Sequence, residues 1–186
     1  FRLHREYPDD LPWRLRGVPA VVAAGRERAR ELDPECRLSF TASREAADGH
    51  DVLVSSGALQ YLDYTLPELL ARLDSPPRHI LVNLTPMHPS RGYFTLQNIG
   101  VAICPYRVMA AREFIEALET LGYGVVDHWQ SRERGLRIPF FEDHAIDCYS
   151  GFYFRMDRGK SSEAGNAPST TVNLSACQTH GLSHPA

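Results

Sequence analysis

The segment DVLVSSGALQYLD, residues 51–63, decides how this sequence is interpreted. Its first part, DVLVS (51–55), is apolar on both faces, as is typical of a central parallel strand. The run ends in Ser55, Ser56 and Gly57, and apolar residues then resume with helical spacing. A strand that turns straight into a helix presents backbone amides at its carboxyl end, where α/β proteins place their ligands. The segment therefore predicts an α/β fold with a ligand site at this turn.

Strands and helices alternate around this segment. Apolar patterns predict further strands at 13–18, 37–41, 79–83, 124–129 and 150–156, and helices at 20–33, 65–74 and 110–122. The first helix has its predicted core face at 21, 22, 25, 29 and 32, and Thr65 and Gly122 are the expected N-cap and stop of the other two. Between them, the chain from 84 to about 108 has a β-like stretch and no clear helix. The alternation predicts a mostly parallel sheet covered by helices, with an antiparallel pair at its C-terminal end.

Composition limits the class of protein. The 186 residues are 43% hydrophobic and 23% charged, which fits one globular domain. With 20 basic and 23 acidic residues the net charge is -3, which is too balanced for a protein that binds nucleic acid through a basic face. No apolar run has the length of a membrane span. We therefore expect a cytoplasmic domain over 1–157, without nucleic-acid or membrane partners, and a disordered tail over 158–186, where small polar residues dominate.

The four cysteines predict no metal centre and no disulfide framework. They are Cys36, Cys104, Cys148 and Cys177. They lie far apart and form no CxxC pair, so a structural zinc site or a disulfide set is not expected. Buried or incidental thiols in a reducing cytosol are the expected state.

Several segments together resemble one protein family. They are PWRLRGVPAVVAAGRERA, LSFT, DVLVSSGALQYLD, ILVNLTP, PYRVMAAREFIEALETLGYGVVDHW and IPFFEDHAIDCYSGFYFR. These segments cover about residues 7–157 and are similar to a bacterial family of class I S-adenosylmethionine (SAM)-dependent methyltransferases whose substrates are not established. The resemblance implies a Rossmann-like, mostly parallel sheet that ends in an antiparallel hairpin, formed by 124–129 and 150–156. It also implies SAM as the cofactor and a small-molecule or sugar-like methyl acceptor.

The resemblance also implies the cofactor-site residues. These are Gly17, Thr41, Ser55, Ser56, Gly57 and Gln60. For the Ser55–Gly57 turn an alternative remains open, namely a simple strand-to-helix turn in which Ser56 is an N-cap. At the end of the first predicted strand, Arg16-Gly17 stands where the fold normally has an acidic residue for the ribose hydroxyls, and a glycine cannot accept those hydrogen bonds.

The resemblance further places the first strand and its glycine-rich loop upstream of Phe1. The segment FRLHREYPDDL looks like the approach that follows that loop, and no glycine-rich loop precedes Trp13. We therefore expect this chain to be an N-terminally truncated methyltransferase domain.

Candidate acceptor-binding residues follow the strand at 79–83 and fill the insertion 87–108. They are Asn83, Thr85, Tyr93, Tyr106 and Arg107. Long loops at the ligand edge are usually functional, and an arginine suits an anionic group. The alternatives are a turn residue at Asn83, a packed Tyr106 and a surface Arg107. His88 is a candidate general base near neutral pH, and its alternative is a solvated loop histidine.

The segment after 138 carries Glu142, Asp143, His144 and Asp147. A histidine with three carboxylates suggests a metal, but the spacing fits no ligand pattern, so a solvated acidic loop is expected and no metal is predicted. Methyl transfer from SAM requires mainly alignment of the reactants and exclusion of water, so no fixed catalytic residue is needed. Two functions stay open: a methyltransferase, and a non-catalytic α/β module that acts through protein contacts.

Overall fold

A computed structural model describes residues 11–32 and 38–157. The chain divides into two compact units, residues 1–48 and 49–186. Some of the sequence-based expectations lie outside the described residues. They concern the approach segment over 1–10, the last residue of the helix predicted at 20–33, the first residue of the strand predicted at 37–41, and the tail over 158–186. Cys36 and Cys177 also lie outside them, whereas Cys104 and Cys148 are free thiols.

The first unit is a β-α-β arrangement. Strand β1 (Trp13–Arg16), helix α1 (Pro19–Leu32) and strand β2 (Leu38–Thr41) follow in chain order, and β1 and β2 pair in parallel. Helix α1 lies close to β2 because Gly25 has no side chain: a Cβ there would lie 2.4 Å from Cε1 of Phe40. The predicted core face of α1 is only partly correct, since Val22 is buried but Val21 and Leu32 are exposed. Helical spacing places these apolar residues in one stripe along α1, and only part of that stripe packs against the two-stranded sheet.

Over residues 49–157, the described part of the second unit, the chain forms two sheets and two α-helices. Its elements are β3 (Val52–Ser56), α2 (Leu66–Leu70), β4 (His79–Thr85), β5 (Met87–His88), β6 (Tyr93–Asn98), β7 (Ile103–Ala110), α3 (Ala111–Thr120), β8 (Tyr123–Ser131) and β9 (Tyr149–Met156). Thr65 caps α2 through a capping box with Glu68, as the sequence predicts, although α2 ends at Leu70 and is shorter than the predicted 65–74. Gly122, with φ +87°, follows α3 as predicted.

The larger sheet has the strand order β3-β4-β9-β8. Strands β3 and β4 are parallel, and β9 is antiparallel to both β4 and β8. The predicted antiparallel pairing of the last two strands is therefore present, within a sheet that is mixed rather than mostly parallel. Its centre is fully buried at Ile80, Val82, Phe152 and Phe154. Phe114 of α3 packs edge-on against Phe154, with ring centroids 6.0 Å apart.

Strand β3 differs from its predicted environment. Among the described residues it is an edge strand, since β4 is its only partner in the sheet. Val52 and Val54 on one face are 50% and 54% exposed, so β3 is not the central strand, buried on both faces, that its apolar run suggests. An apolar run shows that a strand can be buried, and only its neighbours determine whether it is.

The segment expected to be a long loop is in fact a second sheet. Strands β5, β6 and β7 form a three-stranded sheet in the order β5-β7-β6, and β6 and β7 are an antiparallel hairpin. Gly100, with φ +87°, sits in the tight turn that joins β6 to β7. None of the described helices is long and apolar enough to cross a membrane.

Candidate functional site

The carboxyl ends of β3 and β4 are joined by hydrogen bonds at the predicted ligand turn. The backbone N–H of Gly57 donates to the carbonyl of Asn83 over 2.9 Å, and Asn83 Nδ2 donates to Ser56 Oγ over 3.4 Å. Gly57 has φ +62°, a left-handed conformation that favours glycine. Ser56 is exposed and Ser55 half-buried. The turn is therefore a fixed platform at the edge where parallel strands present ligands.

The side-chain amide of Asn83 is also held from the other side of the sheet. Trp129 Nε1 donates to Asn83 Oδ1 over 3.0 Å, although β9 lies between their strands. The indole crosses β9 at Gly151, where a Cβ would lie only 2.1 Å from Cε2 of Trp129. Since both ends of its amide are engaged, Asn83 serves here to connect β3, β4 and β8.

Strand β4 ends in an irregular turn. Its register with β9 shifts between Val82 and Thr85, and Leu84 has φ +50°, which is unusual for a residue with a side chain. Thr85, a predicted acceptor-binding residue, is fully buried, and its hydroxyl donates to the Asn83 carbonyl over 3.3 Å. In this structure Thr85 therefore holds the turn from inside.

Gln60 lies directly after the ligand turn and is 5% exposed. It belongs to a 3₁₀ turn, Leu59–Tyr61, whose N-cap is Ala58 with no side-chain cap. The alternative of Ser56 as an N-cap is therefore wrong, because the chain continues past Gly57 before it turns. Gln60 Oε1 is buried and has no hydrogen-bond partner among the described residues. An unsatisfied buried acceptor is unfavourable unless a ligand supplies the donor.

The orientation of the Gln60 amide follows from its neighbours. Burial is the main cause that raises the pKa of Tyr61, and its hydrogen bonds with Gln97 and Gln60 act against this shift. The Tyr61 hydroxyl donates its one proton to Gln97 Oε1 over 2.7 Å, so towards Gln60 it can only accept. Gln60 can then contact this hydroxyl through its amide nitrogen, which is a donor. The carbonyl oxygen is left as an acceptor for a ligand N–H or O–H group.

Behind Gln60 lies a buried pair of tyrosines. Tyr106 is 1% exposed, and its hydroxyl is 2.7 Å from that of Tyr149. Its ring meets Tyr61 edge-on, with centroids 5.3 Å apart. Burial is the main cause that raises the pKa of Tyr106, so this hydroxyl stays protonated. Tyr106 thus forms part of the core, and it supports Gln60 and Tyr61 from inside.

His88 is a structural residue in this conformation. It is 8% exposed, which excludes the alternative of a solvated loop histidine. Its Nδ1 accepts hydrogen bonds from the backbone N–H groups of Ser90 and Arg91, both at 3.2 Å. Its Nε2, 3.0 Å from the carbonyl of Asp143, must therefore carry the proton and donate. Both nitrogens are engaged, so His88 would have to break a contact before it acted as a base.

The other two insertion candidates also have partners. The Tyr93 hydroxyl donates to the carbonyl of His144, and burial raises the pKa of Tyr93. Arg107 Nη1 donates to the carbonyl of Tyr64 over 3.1 Å, and its guanidinium lies over the ring of Phe94, 5.0 Å from the centroid. In the observed register Tyr93 pairs with Val108 and Arg107 pairs with Phe94, so the two side chains point to opposite faces of the hairpin.

The acidic loop is neutralised by arginines. Asp143 accepts from Arg91 at 2.9 Å and Asp147 accepts from Arg137 at 2.6 Å. A hydrogen bond from His144, followed by the charges of His144 and Arg91, lowers the pKa of Asp143. Within residues 11–32 and 38–157, no three His, Cys, Asp or Glu side chains come together as a metal-binding group would require. These carboxylates therefore attach their loop to the second sheet.

Gly17 and Thr41 belong to the first unit. The Gly17 backbone N–H donates to the Thr41 carbonyl over 3.1 Å, directly after β1 and β2 end. Both residues thus lie at the carboxyl edge of their own parallel pair. No carboxylate stands at position 17, so this position offers backbone groups only.

Sequence reasoning missed Trp129, Gly151 and Tyr149. A signal for the first two was available, because a glycine inside an aromatic strand, SGFYFRM, often marks a close approach by a neighbouring side chain. Nothing in the local sequence indicates that the approaching group is Trp129. Tyr149 had no signal, since its partner Tyr106 is distant in the chain.

Two solved structures resemble this chain at low sequence identity. One is the glycopeptide N-methyltransferase MtfA complexed with S-adenosyl-L-homocysteine, with a TM-score of 0.52, 16% identity, and coverage of 77% of this chain and 73% of that one. The other is the [4+2]-cyclase SpnF, with a TM-score of 0.52, 16% identity, and coverage of 83% and 68%. No family model matches the sequence, and no curated protein sequence matches it significantly.

At this identity the likeness concerns the fold and not the reaction. MtfA is named as an N-methyltransferase and SpnF as a cyclase, so the same fold belongs to proteins named for different reactions. The chain therefore shares its α/β fold with these two proteins.

Proposed function

We propose that this chain is part of a SAM-dependent methyltransferase that acts on a small-molecule or sugar-like acceptor. The observation that supports this most is Gln60 Oε1, a buried acceptor without a partner in the described residues, directly after the strand that ends in Ser55, Ser56 and Gly57. SAM carries N–H and O–H donors on its methionine, ribose and adenine parts. A fixed acceptor close to the exposed Ser56 fits such a ligand.

The proposed division of work is simple. SAM supplies the methyl group and its own leaving group. The Ser55–Gly57 turn binds one side of the cofactor through backbone and hydroxyl groups, and Gln60 accepts one of its donors. Asn83, fixed by Trp129, holds the turn in place. Alignment of this kind accounts for most of what a methyltransferase contributes, so no general base needs to be assigned. For Gly17 and Thr41 the assignment to the cofactor rests on the family resemblance alone.

The proposal includes a further strand. The outer edge of β3 has unpaired backbone groups among the described residues, and Val52 and Val54 are exposed beside it. Open apolar edges of this kind are normally covered in a folded protein. We propose that a parallel strand carrying the glycine-rich loop pairs with β3 in the complete enzyme.

Calorimetry with SAM and S-adenosylhomocysteine tests this proposal. The chain and a version extended at its amino end are compared, each as wild type, Q60L and Q130L. Q60L removes the unpaired acceptor, and a lost hydrogen bond of about 1.5 kcal/mol would weaken binding about tenfold. Q130L is the matched control, since Gln130 lies on β8 opposite Ser150 and is not placed at the cofactor.

Binding by the extended version alone, weakened by Q60L and not by Q130L, would support a methyltransferase completed by the additional strand. Absence of binding by both versions at millimolar ligand would overturn the cofactor proposal. The second candidate, a non-catalytic α/β module, would then be preferred. Gly17 favours that candidate, because no carboxylate stands at the position that normally receives the ribose.

A further inference from the structure

A chain of side-chain hydrogen bonds runs from the β6–β7 hairpin to the residues after the ligand turn. The Tyr61 hydroxyl is 2.7 Å from Gln97 Oε1, and an amide oxygen only accepts, so Tyr61 is the donor. Gln60 forms side-chain hydrogen bonds with the hydroxyls of both Tyr61 and Tyr106. Tyr106 in turn meets Tyr149, with 2.7 Å between the two hydroxyl oxygens. The chain of bonds thus connects β6, the 3₁₀ turn, β7 and β9.

The directions of these bonds explain why the Gln60 carbonyl is unpaired. Because Gln60 Oε1 has no partner among the described residues, the amide nitrogen makes the bonds to the two tyrosines. An amide nitrogen carries two protons, one for each hydroxyl. Each hydroxyl has a single proton, which Tyr61 gives to Gln97 and which Tyr106 can give to Tyr149. Neither tyrosine therefore has a proton left for the Gln60 carbonyl.

A half-turn of the Gln60 amide would give a second arrangement, in which the oxygen accepts the Tyr61 proton. With Gln97 present, this arrangement leaves the Gln60 nitrogen and the Gln97 oxygen unpaired, whereas the observed one leaves only the Gln60 oxygen unpaired. Without Gln97, the observed arrangement leaves both the Tyr61 proton and the Gln60 oxygen unpaired, and the second one pairs them with each other. Since unpaired buried polar groups are unfavourable, Gln97 decides which arrangement is preferred.

We propose that Gln97 is a positioning residue for the ligand site: by accepting the Tyr61 proton, it keeps the Gln60 carbonyl free for a donor group of the ligand. The identity of that ligand as SAM or S-adenosylhomocysteine rests on the proposed function. Gln97 lies on the partly buried face of β6 and acts through Tyr61 and Gln60 rather than by contact with the ligand. The hairpin thereby prepares a site that lies outside its own sheet.

Heteronuclear NMR of the ligand-free chain tests the orientation of the amide directly. The side-chain amide signals of Gln60 are assigned by their loss in Q60L and are then compared in wild type, Q97L and Q130L. In Q97L the Gln60 N–H groups lose their tyrosine acceptors, so their signals should move. Q130L, a glutamine change on β8, should leave them in place. Gln60 signals that are the same in Q97L as in wild type would overturn the proposal, whether or not the protein binds SAM.

Calorimetry with S-adenosylhomocysteine tests the consequence for binding, on the version extended at its amino end. Q97L should weaken binding about three- to tenfold, because only molecules with a free Gln60 carbonyl are competent. The double variant Y61F/Q97L removes the competing proton and should bind more tightly than Q97L. If Gln97 served only to hold the hairpin, the second change would recover nothing, and that result would overturn the proposal. Absence of binding by wild type would count against the proposed function instead, and the NMR comparison would then decide the role of Gln97.

Discussion

Trp129 donates a hydrogen bond to Asn83 across an intervening strand, with 3.0 Å between Nε1 and Oδ1. Strand β9 lies between the two, and Gly151 is the position at which the indole passes over it. Asn83 in turn donates to Ser56 at the proposed cofactor turn. The contact therefore links the antiparallel end of the sheet to the parallel end, where the ligand site is proposed.

Replacing the indole should loosen this connection. W129F removes the N–H donor and leaves Asn83 Oδ1 without its partner, so the free energy of unfolding should fall by about 1–3 kcal/mol. Urea unfolding measures the change. W13F, in the first unit, is the control and should leave the unfolding of the second unit unchanged. An unaltered midpoint for W129F would mean that the contact adds nothing to stability.

Gly151 should tolerate no side chain while Trp129 is present. The Cβ of G151A would overlap the indole, and the resulting overpacking should destabilise the fold by about 1–3 kcal/mol. The double variant W129A/G151A distinguishes this clash from a general strand effect. We expect G151A to be less destabilising in the W129A background than in wild type. Equal effects in both backgrounds would show that the glycine is needed for another reason.

His128 should make stability depend on pH. Burial lowers its pKa below 6.5, with Asp127 acting in the opposite direction, and its ring lies on Phe152 with centroids 4.5 Å apart. The unfolded chain therefore binds a proton more readily than the folded one. The contribution of His128 is fully present above pH 6.5, the unfolded value, and is lost as the pH falls below it.

Unfolding by urea between pH 7.5 and pH 5.5 measures this dependence. H128F keeps the ring contact and removes the titration, so its stability should change less over this range than that of wild type. A slope that H128F does not flatten would assign the dependence to other groups.

We expect the hydrogen bonds of His88 to stabilise the fold, and two variants test this. H88A loses all three of these hydrogen bonds and leaves two backbone N–H groups and a carbonyl unpaired, so it should destabilise the fold by about 1–3 kcal/mol. H88N can still accept at the Nδ1 position and should recover part of the loss. Thermal unfolding compares the three proteins. Full stability of H88A would return His88 to the role of a candidate base.

The sequence predicted the elements whose signals are local. Examples are the apolar runs that form β3 and β4, the capping box at Thr65 and the helix stop at Gly122. Each of these signals spans only a few consecutive residues. It also predicted the antiparallel pair β8–β9 from the absence of a helix between them. It failed at the hairpin β6–β7, because Thr95 and Gln97 face inward there while Phe94 and Leu96 face outward. Alternation identifies two faces but does not say which one is buried.

In the candidate site, too, some features depend on adjacent residues and others on contacts between distant ones. By itself, the sequence determined that a strand ends in Ser55, Ser56 and Gly57 and that Gln60 follows, because backbone conformation and turn chemistry depend on adjacent residues. Tertiary structure alone decided that Asn83 is held by Trp129 and that His88 is buried against Asp143, since these partners are 46 and 55 residues apart. Contacts between distant residues depend on how the strands pair, and no local pattern records that pairing.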